Sequence, residues 1–430
     1  MRPDVCSKNY VSDRRMYANY VARNIKKLCK EVGPRPSGSD KELEAQQWMA
    51  RDLETSCDEV KTESFRLAPA AFMGWVQLAV FCGVASAALL FLTRWNFFEG
   101  QGIIFTAAAA ALNIIAVIFV VFEFLFYKEA LDVFLPKKES HNVIAVRKPS
   151  GEVKRRIIFS GHADSAPEWR FTYMGGPKLL LFSIIMGLGG LVVVTVCSVL
   201  GLVKALGGSQ LYGDKLMGII GIIALCFVPF FLWCLIFYNP KRPVEGANDN
   251  LTGCLCSMAV PRYMADHDFR FENTEVMVIL TGSEEAGLRG AKAFAKAHGA
   301  EIKADAEKGI ETVFVGLDTV RDYEFMSVYN KDMTGTVKND PEVSLLLKKG
   351  AELAGYDIPY ATVFFGSSDA AAITQGGIKA TCFAAMDPAP ARYYHTRLDT
   401  ADNMDLKTIE AGVGICLETA FLYDEKGLDL

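Results

Sequence analysis

Two of the five histidines in this 430-residue chain stand in segments that follow predicted strands, where a protein could bind a metal. His162 follows the apolar stretch RRIIFSG, in the order His162-Ala163-Asp164, and His395 lies in the late motif YYHTRLDT. Further carboxylates stand where predicted strands end or helices begin: Asp249 in GANDN, Glu284 and Glu285 in GSEE, and Asp318 after TVFVGL. Ligands in open α/β sheets gather beyond the carboxyl ends of strands, so we expect these side chains to converge.

This set of residue types predicts zinc, which accepts imidazole and carboxylate ligands. The candidates exceed one tetrahedral site and fit a pair of ions about 3.5–4 Å apart that share a carboxylate. Asp164 is placed to accept a hydrogen bond from His162 and fix its tautomer, although it could instead cap a turn. Adjacent Glu284 and Glu285 point in different directions, so one can bind metal while its neighbour reaches a water.

The elements that must position these residues form an α/β pattern. Ser39 and Glu42 form a predicted capping box at the start of an amphipathic helix. EVKTESFR, HNVIAVR and RRIIFSG are typical of strands, and PSGE (149–152) predicts a turn that joins the last two as a hairpin. The later predictions are helices over 251–266, 287–298, 341–354 and 405–423, and strands over 275–281, 312–318 and 379–385. Such alternation indicates a mixed, largely parallel sheet covered on both faces.

Four long stretches contain no charged residue, and each exceeds the roughly 20 residues that a helix needs to cross a bilayer. They lie between Arg66 and Arg94, Glu99 and Glu123, Lys178 and Lys204, and Lys215 and Lys241. We interpret them as two transmembrane hairpins, because buried core helices of this length and number are uncommon. Nine basic residues flank the side shared by the rest of the chain: Lys61, Arg66, Lys128, Lys137, Lys138, Arg170, Lys178, Lys241 and Arg242. The far loops offer Arg94, Lys204 and Lys215, so the remaining chain is predicted to be cytoplasmic.

Charge and cysteine content restrict the partners and the compartment. The net charge is −5 and there is no basic tract, which argues against a nucleic-acid partner. Eleven cysteines, an odd number, predict free thiols in a reducing compartment. The first fifteen residues lack an apolar segment, so no cleavable signal peptide is predicted.

Taken in order, HAD, GANDN, GSEE, the isolated LDT and YYHTRLDT resemble the co-catalytic di-zinc aminopeptidases of metallopeptidase family twenty-eight, which are leucyl aminopeptidase/aminopeptidase Y-like. GPRPSGS (33–39) and SSDAAAITQGGIKA (367–380) extend the resemblance, which covers nearly all of the chain outside the hairpins. It implies a phosphorylase/hydrolase-like zinc-peptidase fold of the α/β class, with a mixed, mostly parallel sheet between helices and four transmembrane helices added.

The resemblance also implies roles for individual residues. His162 and Asp318 would hold one Zn²⁺, Glu285 and His395 the other, and Asp249 would bridge both. Glu284 would be the general base, Asp164 the partner of His162, Tyr394 or its competitor Tyr393 the oxyanion-stabilising residue, and Asp399 a support for its loop. Arg321 and Ala370 depart from the expected pattern and leave substrate preference open.

The resulting hypothesis is a membrane-anchored di-zinc aminopeptidase that hydrolyses N-terminal residues from peptides with a free N-terminus by metal-activated water. The alternatives are a glutaminyl-cyclase-like acyltransferase with a single zinc, a non-catalytic scaffold, and a transporter, for which the spans offer almost no internal polar residues. The predicted domains are a peptidase domain in three parts, 1–66, 128–178 and 239–430, and two transmembrane hairpins, 67–127 and 179–238.

Overall fold

The computed structural model describes residues 10–95, 100–363 and 365–430, which form two compact units. The predictions about a signal peptide and about the loop that ends at Glu99 fall on residues 1–9 and 96–99 and lie outside the described residues. Unit 1 comprises residues 1–69, 137–168 and 240–430, and unit 2 comprises residues 70–136 and 169–239. None of the ten cysteines among the described residues forms a disulfide.

The described residues contain eleven helices and eleven strands. The helices are α1 (Tyr10–Glu31), α2 (Asp40–Leu53), α3 (Ala71–Leu92), α4 (Gly102–Phe119), α5 (Arg170–Leu206), α6 (Lys215–Cys234), α7 (Thr252–Asp266), α8 (Arg289–Glu307), α9 (Pro341–Ala354), α10 (Asp369–Gln375) and α11 (Leu406–Lys426). The strands are β1 (Glu59–Leu67), β2 (Lys138–Arg147), β3 (Arg155–His162), β4 (Pro167–Trp169), β5 (Tyr238–Pro243), β6 (Thr274–Thr281), β7 (Glu311–Val320), β8 (Met326–Asp332), β9 (Val337–Lys338), β10 (Tyr360–Thr362) and β11 (Lys379–Ala385).

Unit 1 is built on a nine-stranded mixed sheet, which confirms the predicted α/β fold. The strand order is β1-β2-β6-β3-β7-β11-β8-β10, with β9 paired to β8. Neighbours among β6, β3, β7 and β11 run parallel, whereas β1, β2 and β8 join in antiparallel pairs. The four central strands therefore end at one edge of the sheet, where β1 also ends and β2 begins.

The predicted β2–β3 hairpin is wrong. Strand β6 lies between these two strands, antiparallel to β2 and parallel to β3. The PSGE turn bonds instead to the chain that leads into β6: Ser150 N–H donates to the Phe271 carbonyl and Gly151 N–H to the Glu272 carbonyl. The apolar strand β3 gains two parallel neighbours, β6 and β7, which a local hairpin could not provide.

The predicted start of helix α2 is confirmed in part. The hydroxyl of Ser39 accepts the Glu42 backbone N–H at 3.2 Å, as an N-cap does. The Glu42 carboxylate, however, accepts from the Gly38 N–H at 2.7 Å rather than closing the box on the cap residue. Its remaining hydrogen bonds go to other segments of unit 1.

Unit 2 contains the four apolar helices. By length and composition, Ala71–Leu92, Gly102–Leu125, Arg170–Leu206 and Lys215–Cys234 are each sufficient to cross a membrane, as predicted. Beyond Phe119, α4 continues as a π-helical turn, Val120–Leu125. Within the unit, the Asn113 amide donates to the Ser198 hydroxyl at 2.9 Å, which joins α4 to α5. Such a hydrogen bond between helices gives each polar side chain a partner within the apolar bundle.

Candidate metal centre

The carboxyl edge of the central strands brings the predicted residues together. Strand β3 ends at His162, β7 carries Asp318, and Glu284 and Glu285 follow the end of β6. Asp249 lies in the irregular segment Ala247–Leu251 before α7, and His395 lies in the loop between β11 and α11. These side chains therefore meet beyond the carboxyl ends of the strands, where the sequence predicts them.

Asp249 lies at the middle of the cluster. Its Oδ1 is 3.1 Å from Nε2 of His162, and its Oδ2 is 3.0 Å from Nε2 of His395. Glu285 approaches the second imidazole, with Oε1 3.2 Å from Nε2 of His395. The two oxygens of one carboxylate therefore face two different imidazoles, an arrangement suited to a ligand shared by two cations.

The donor set fits divalent metal ions. Ligand atoms of His162, Asp249 and Glu285 all lie within 4.8 Å of one another, close enough to coordinate a single ion. Two imidazoles and three carboxylates, without a thiolate, suit zinc. Asp318 is partly buried nearby, where the charges of Asp249 and His162 act on its carboxyl group.

Asp164 supports both sides of this cluster. Its Oδ1 lies 3.3 Å from Nδ1 of His162, the ring nitrogen on the side away from Asp249. The same carboxylate accepts the backbone N–H groups of Glu284 at 2.9 Å and Glu285 at 3.1 Å. It is therefore more than a turn cap, because it lies beside the imidazole and accepts hydrogen bonds from the backbone of both glutamates.

Asp399 holds the segment that carries Asp249. Its Oδ1 accepts the Asn248 backbone N–H at 2.8 Å and the Asn248 side-chain amide at 2.7 Å, and its Oδ2 accepts the Asp249 N–H at 3.1 Å. This carboxylate, four residues after His395, ties the late loop to the Asp249 loop.

The two candidate tyrosines have different surroundings. The Tyr393 hydroxyl donates to Asp322 at 2.8 Å, and the Arg321 guanidinium lies 5.0 Å from the Tyr393 ring centroid. The Tyr394 ring stacks on His395 at 3.9 Å between centroids, and its hydroxyl lies within the field of the cluster carboxylates. Arg321, a departure from the expected pattern, thus contributes to fixing the neighbouring Tyr393.

The imidazoles hold protons strongly when no metal competes. Burial lowers the pKa of His395, but Glu285 and Asp249 outweigh this effect and raise it to about 10. Burial likewise opposes the charged form of His162, while Glu284, Asp164 and Asp249 raise its pKa well above the ordinary value. A metal ion at this centre must displace these protons.

The carboxyl groups respond to burial and to one another. Burial, together with Asp249, raises the pKa of Asp318 to about 7. Burial also raises the pKa of Glu284 well above its usual range, and the nearby Glu285, Asp369 and Asp318 add to that rise against the opposing effect of His162. Concentrated negative charge of this kind favours divalent cations.

Three further residues support the cluster, of which Arg35 and Glu42 were missed as such from the sequence. Arg35, fully buried within GPRPSGS, donates to the carbonyls of Ala163 at 2.6 Å and Gly246 at 2.9 Å, so it links the His162 and Asp249 segments. Glu42, predicted only as a helix cap, binds the turn before Glu284. Asp369, which the motif SSDAAAITQGGIKA contains, accepts the Thr281 hydroxyl at the end of β6. The sequence signals for two of them were the motifs that contain them, GPRPSGS for Arg35 and SSDAAAITQGGIKA for Asp369.

Part of this chain matches the model of a known protein family. Residues 235–420 match the model of peptidase family M28. The match includes every cluster residue named above except His162 and Asp164, and it leaves out the supporting residues Arg35 and Glu42. The resemblance to this family is confirmed. A search of curated proteins finds no match. The matched residues contain GANDN, GSEE, LDT and YYHTRLDT, whereas HAD and GPRPSGS lie outside them.

Solved structures share the fold of this chain. A zinc aminopeptidase from Bacillus subtilis is 15% identical with a TM-score of 0.53, and the match covers 95% of each chain. An aminopeptidase from Aneurinibacillus sp. strain AM-1 is 16% identical with a TM-score of 0.53, covering 94% of this chain and 93% of that one. A Fimbriiglobus ruber glutaminyl cyclase is 14% identical with a TM-score of 0.53, covering 94% and 95%. The TM-scores show a common fold, which the two aminopeptidases and the glutaminyl cyclase share with this chain.

Proposed function

We propose that this protein is a membrane-anchored di-zinc aminopeptidase that removes the N-terminal residue from peptides. The observation that carries the proposal is the position of Asp249, whose two carboxylate oxygens face His162 and His395 at 3.1 and 3.0 Å. One carboxylate between two imidazoles suits a pair of ions about 3.5–4 Å apart.

In this proposal His162 and Asp318 would hold one zinc, Glu285 and His395 would hold the other, and Asp249 would be a ligand of both. Zinc bound there would polarise the peptide carbonyl and lower the pKa of a water from 15.7 to about 7. The carboxylates of the cluster carry several negative charges, which two divalent ions would balance better than one. Burial is the main cause of the raised pKa of Asp318, about 7, and of the raised pKa of Glu284, and the neighbouring carboxylates, whose charge two divalent cations would offset, add to both.

Glu284 is the proposed general base. Its Oε2 lies 3.9 Å from Nε2 of His162, beside the ligands rather than among the closest donors. Burial and the adjacent carboxylates favour its protonated form, so Glu284 can accept a proton from water and hold it for transfer to the leaving amine. A base whose pKa lies above that of an exposed glutamate is matched to proton transfer at neutral pH.

Asp164 and Tyr394 complete the proposed machinery. Asp164 fixes the tautomer and direction of the His162 ring, as outer-shell carboxylates do for metal-bound imidazoles. Tyr394 would donate a hydrogen bond from its phenol to the oxygen that becomes negative during attack, and burial keeps that phenol protonated by raising its pKa. The hydroxyl of Tyr393 is occupied by Asp322, which favours Tyr394 for this role.

The acidic surroundings support exopeptidase specificity. A peptide with a free N-terminus brings a positively charged α-amino group, which buried carboxylates can hold next to the scissile bond. An internal peptide bond brings no such charge. The four apolar helices support anchoring in a lipid bilayer, and the basic residues that flank them support a cytoplasmic peptidase domain.

The test compares the purified protein with Glu284→Gln on aminoacyl-amide substrates at saturating zinc. We expect the wild-type protein to hydrolyse them and kcat to fall by roughly 10²–10⁴ in the variant. Bound zinc, measured by atomic absorption, should stay at two ions per chain. Full activity in the variant would remove Glu284 as the base, and the absence of wild-type hydrolysis would reject the aminopeptidase proposal.

A second candidate is a glutaminyl-cyclase-like acyltransferase with one zinc, because glutaminyl cyclases are among the similar structures. A peptide with N-terminal glutamine discriminates the two functions: cyclisation releases ammonia and keeps every residue, whereas hydrolysis releases free glutamine. Mass spectrometry of the products separates these outcomes. A non-catalytic scaffold would give neither product.

A further inference from the structure

The turn between β6 and α8 carries the two adjacent glutamates and has an unusual backbone. Ser283 has φ of 55°, in the left-handed region that residues with a side chain seldom occupy. The preceding Gly282 lies so close to β2 that a Cβ atom would be 2.3 Å from the His141 carbonyl oxygen and 2.5 Å from the Ser140 hydroxyl. The turn is therefore pressed against its neighbour and held in a conformation that serine does not favour.

Two carboxylates receive three successive backbone N–H groups of this turn. Glu42 accepts the Ser283 N–H at 2.6 Å, and Asp164 accepts those of Glu284 and Glu285 at 2.9 and 3.1 Å. Glu42 also lies 3.1 Å from the Ser283 hydroxyl. The amides of residues 283–285 thus point to one side, and acceptors from two distant segments fill the positions that face them.

Both carboxylates are fixed by the same early segment. The Ser37 hydroxyl donates to Asp164 at 2.6 Å, and the Gly38 N–H donates to Glu42 at 2.7 Å. The Ser140 hydroxyl, from β2, donates to Glu42 at 2.9 Å. Glu42 is 1% exposed, so each of its hydrogen bonds is protected from water. This gives the early GPRPSGS motif a physical task at the metal centre.

The conformation of the turn separates the two glutamate side chains. Glu284 extends toward His162, with Oε2 3.9 Å from Nε2, and Glu285 extends toward His395, with Oε1 3.2 Å from Nε2. Consecutive residues can face two different imidazoles only if the backbone between β6 and α8 takes a fixed course. Ser283 is the left-handed residue immediately before the pair.

We propose that Glu42 is a positioning residue that keeps Ser283 in the left-handed conformation and thereby directs Glu284 and Glu285 to different sides of the metal centre. The inference rests on the proposed function for the roles of the two glutamates. It assigns Glu42 an effect on the centre that differs from simple stabilisation of α2, where Ser39 already supplies the cap.

The experiment uses Glu42→Ala in the full-length protein, with Glu44→Ala as the matched control on the exposed side of the same helix. We expect Glu42→Ala to lower kcat by about 10–100-fold and to weaken the binding of one zinc by a similar factor, as the loss of an outer-shell partner does. Chelator competition measures zinc affinity without relying on activity. Glu44→Ala should change neither quantity by more than about twofold.

A pair of double variants tests the mechanism. Glycine adopts positive φ without strain, whereas alanine does not. Glu42→Ala combined with Ser283→Gly should therefore recover most of the lost zinc affinity, and Glu42→Ala combined with Ser283→Ala should not. If Glu42→Ala fails to fold, Glu42→Gln keeps the size of the side chain and one acceptor, and the same comparison applies to it.

Two results would overturn the inference: unchanged zinc affinity in Glu42→Ala, or equal affinity in the glycine and alanine double variants. The expected pattern of zinc affinities without any hydrolysis of peptides would support the positioning role while rejecting the proposed aminopeptidase activity. The two proposals can therefore fail separately.

Discussion

Oδ2 of Asp249 lies 3.0 Å from Nε2 of His395, and the backbone N–H of the same aspartate donates to Asp399, four residues beyond that histidine. One short loop thus both faces the carboxylate of Asp249 and holds its main chain. The other oxygen of Asp249 faces His162 at 3.1 Å, at the end of β3. Two parts of the chain separated by more than two hundred residues in sequence meet through this one side chain.

Asp249→Asn tests whether this carboxylate is shared by two ions. We expect both zinc ions to bind more weakly and activity to fall by more than about 100-fold, because an amide lacks the charge and the second acceptor oxygen. Zinc stoichiometry at limiting free metal is the measurement, with Asp266→Asn on the surface of α7 as control. Loss of a single ion, with the second held at wild-type affinity, would contradict a bridging role.

Tyr394→Phe and Tyr393→Phe form a matched pair. The Tyr394 variant should lower kcat by roughly 10²–10³, the usual cost of one oxyanion donor, with zinc content unchanged. The Tyr393 variant loses only its bond to Asp322 and should change thermal stability more than kcat. Steady-state kinetics on both proteins decide the matter, and the reverse pattern would transfer the role to Tyr393.

The metal-free protein should lose stability as the pH rises. The pKa of His395 is raised from its ordinary 6.5 to about 10, so its contribution is complete below pH 6.5 and disappears as the pH rises through about 10. The pKa of Asp318 is raised from its ordinary 3.8 to about 7, so its contribution to stability also falls as the pH rises from 3.8 to about 7. Thermal unfolding of chelator-treated protein at pH 6.5, 8 and 10 measures this effect.

Zinc-loaded protein should show a smaller pH effect over this range, because the metal has already displaced the imidazole protons. Metal-free His395→Gln provides the second comparison, since it lacks the titrating group. A flat stability profile for the metal-free wild-type protein would contradict the strong proton binding expected of this cluster.

Arg35→Met tests the link between the His162 and Asp249 segments. The fully buried guanidinium donates to carbonyl oxygens of both segments, which methionine would leave without these donors. We expect the free energy of unfolding to fall by about 3 kcal/mol and zinc to bind less tightly. Arg23→Met, at an exposed position on α1, is the control, and equal stability of the two variants would contradict the interpretation.

The sequence by itself determined the types of chemistry present and where along the chain they occur. Alternating apolar segments fixed most strands and helices, because local hydrophobic periodicity and capping are properties of neighbouring residues. Helix α9 and strand β11 occupy the predicted residues. Four uncharged stretches were sufficient to identify the apolar helices, because the thickness of a bilayer sets their minimum length.

Only the tertiary structure decided which strands are neighbours and which groups touch. Sequence proximity favoured a β2–β3 hairpin, but β6, more than a hundred residues later, lies between these strands. Glu42 has a local task at the start of α2 and a second one at Ser283, which lies 241 residues away. Hydrogen bonds between segments so far apart leave no periodic pattern in the chain, because they depend on where the folded sheet brings each segment.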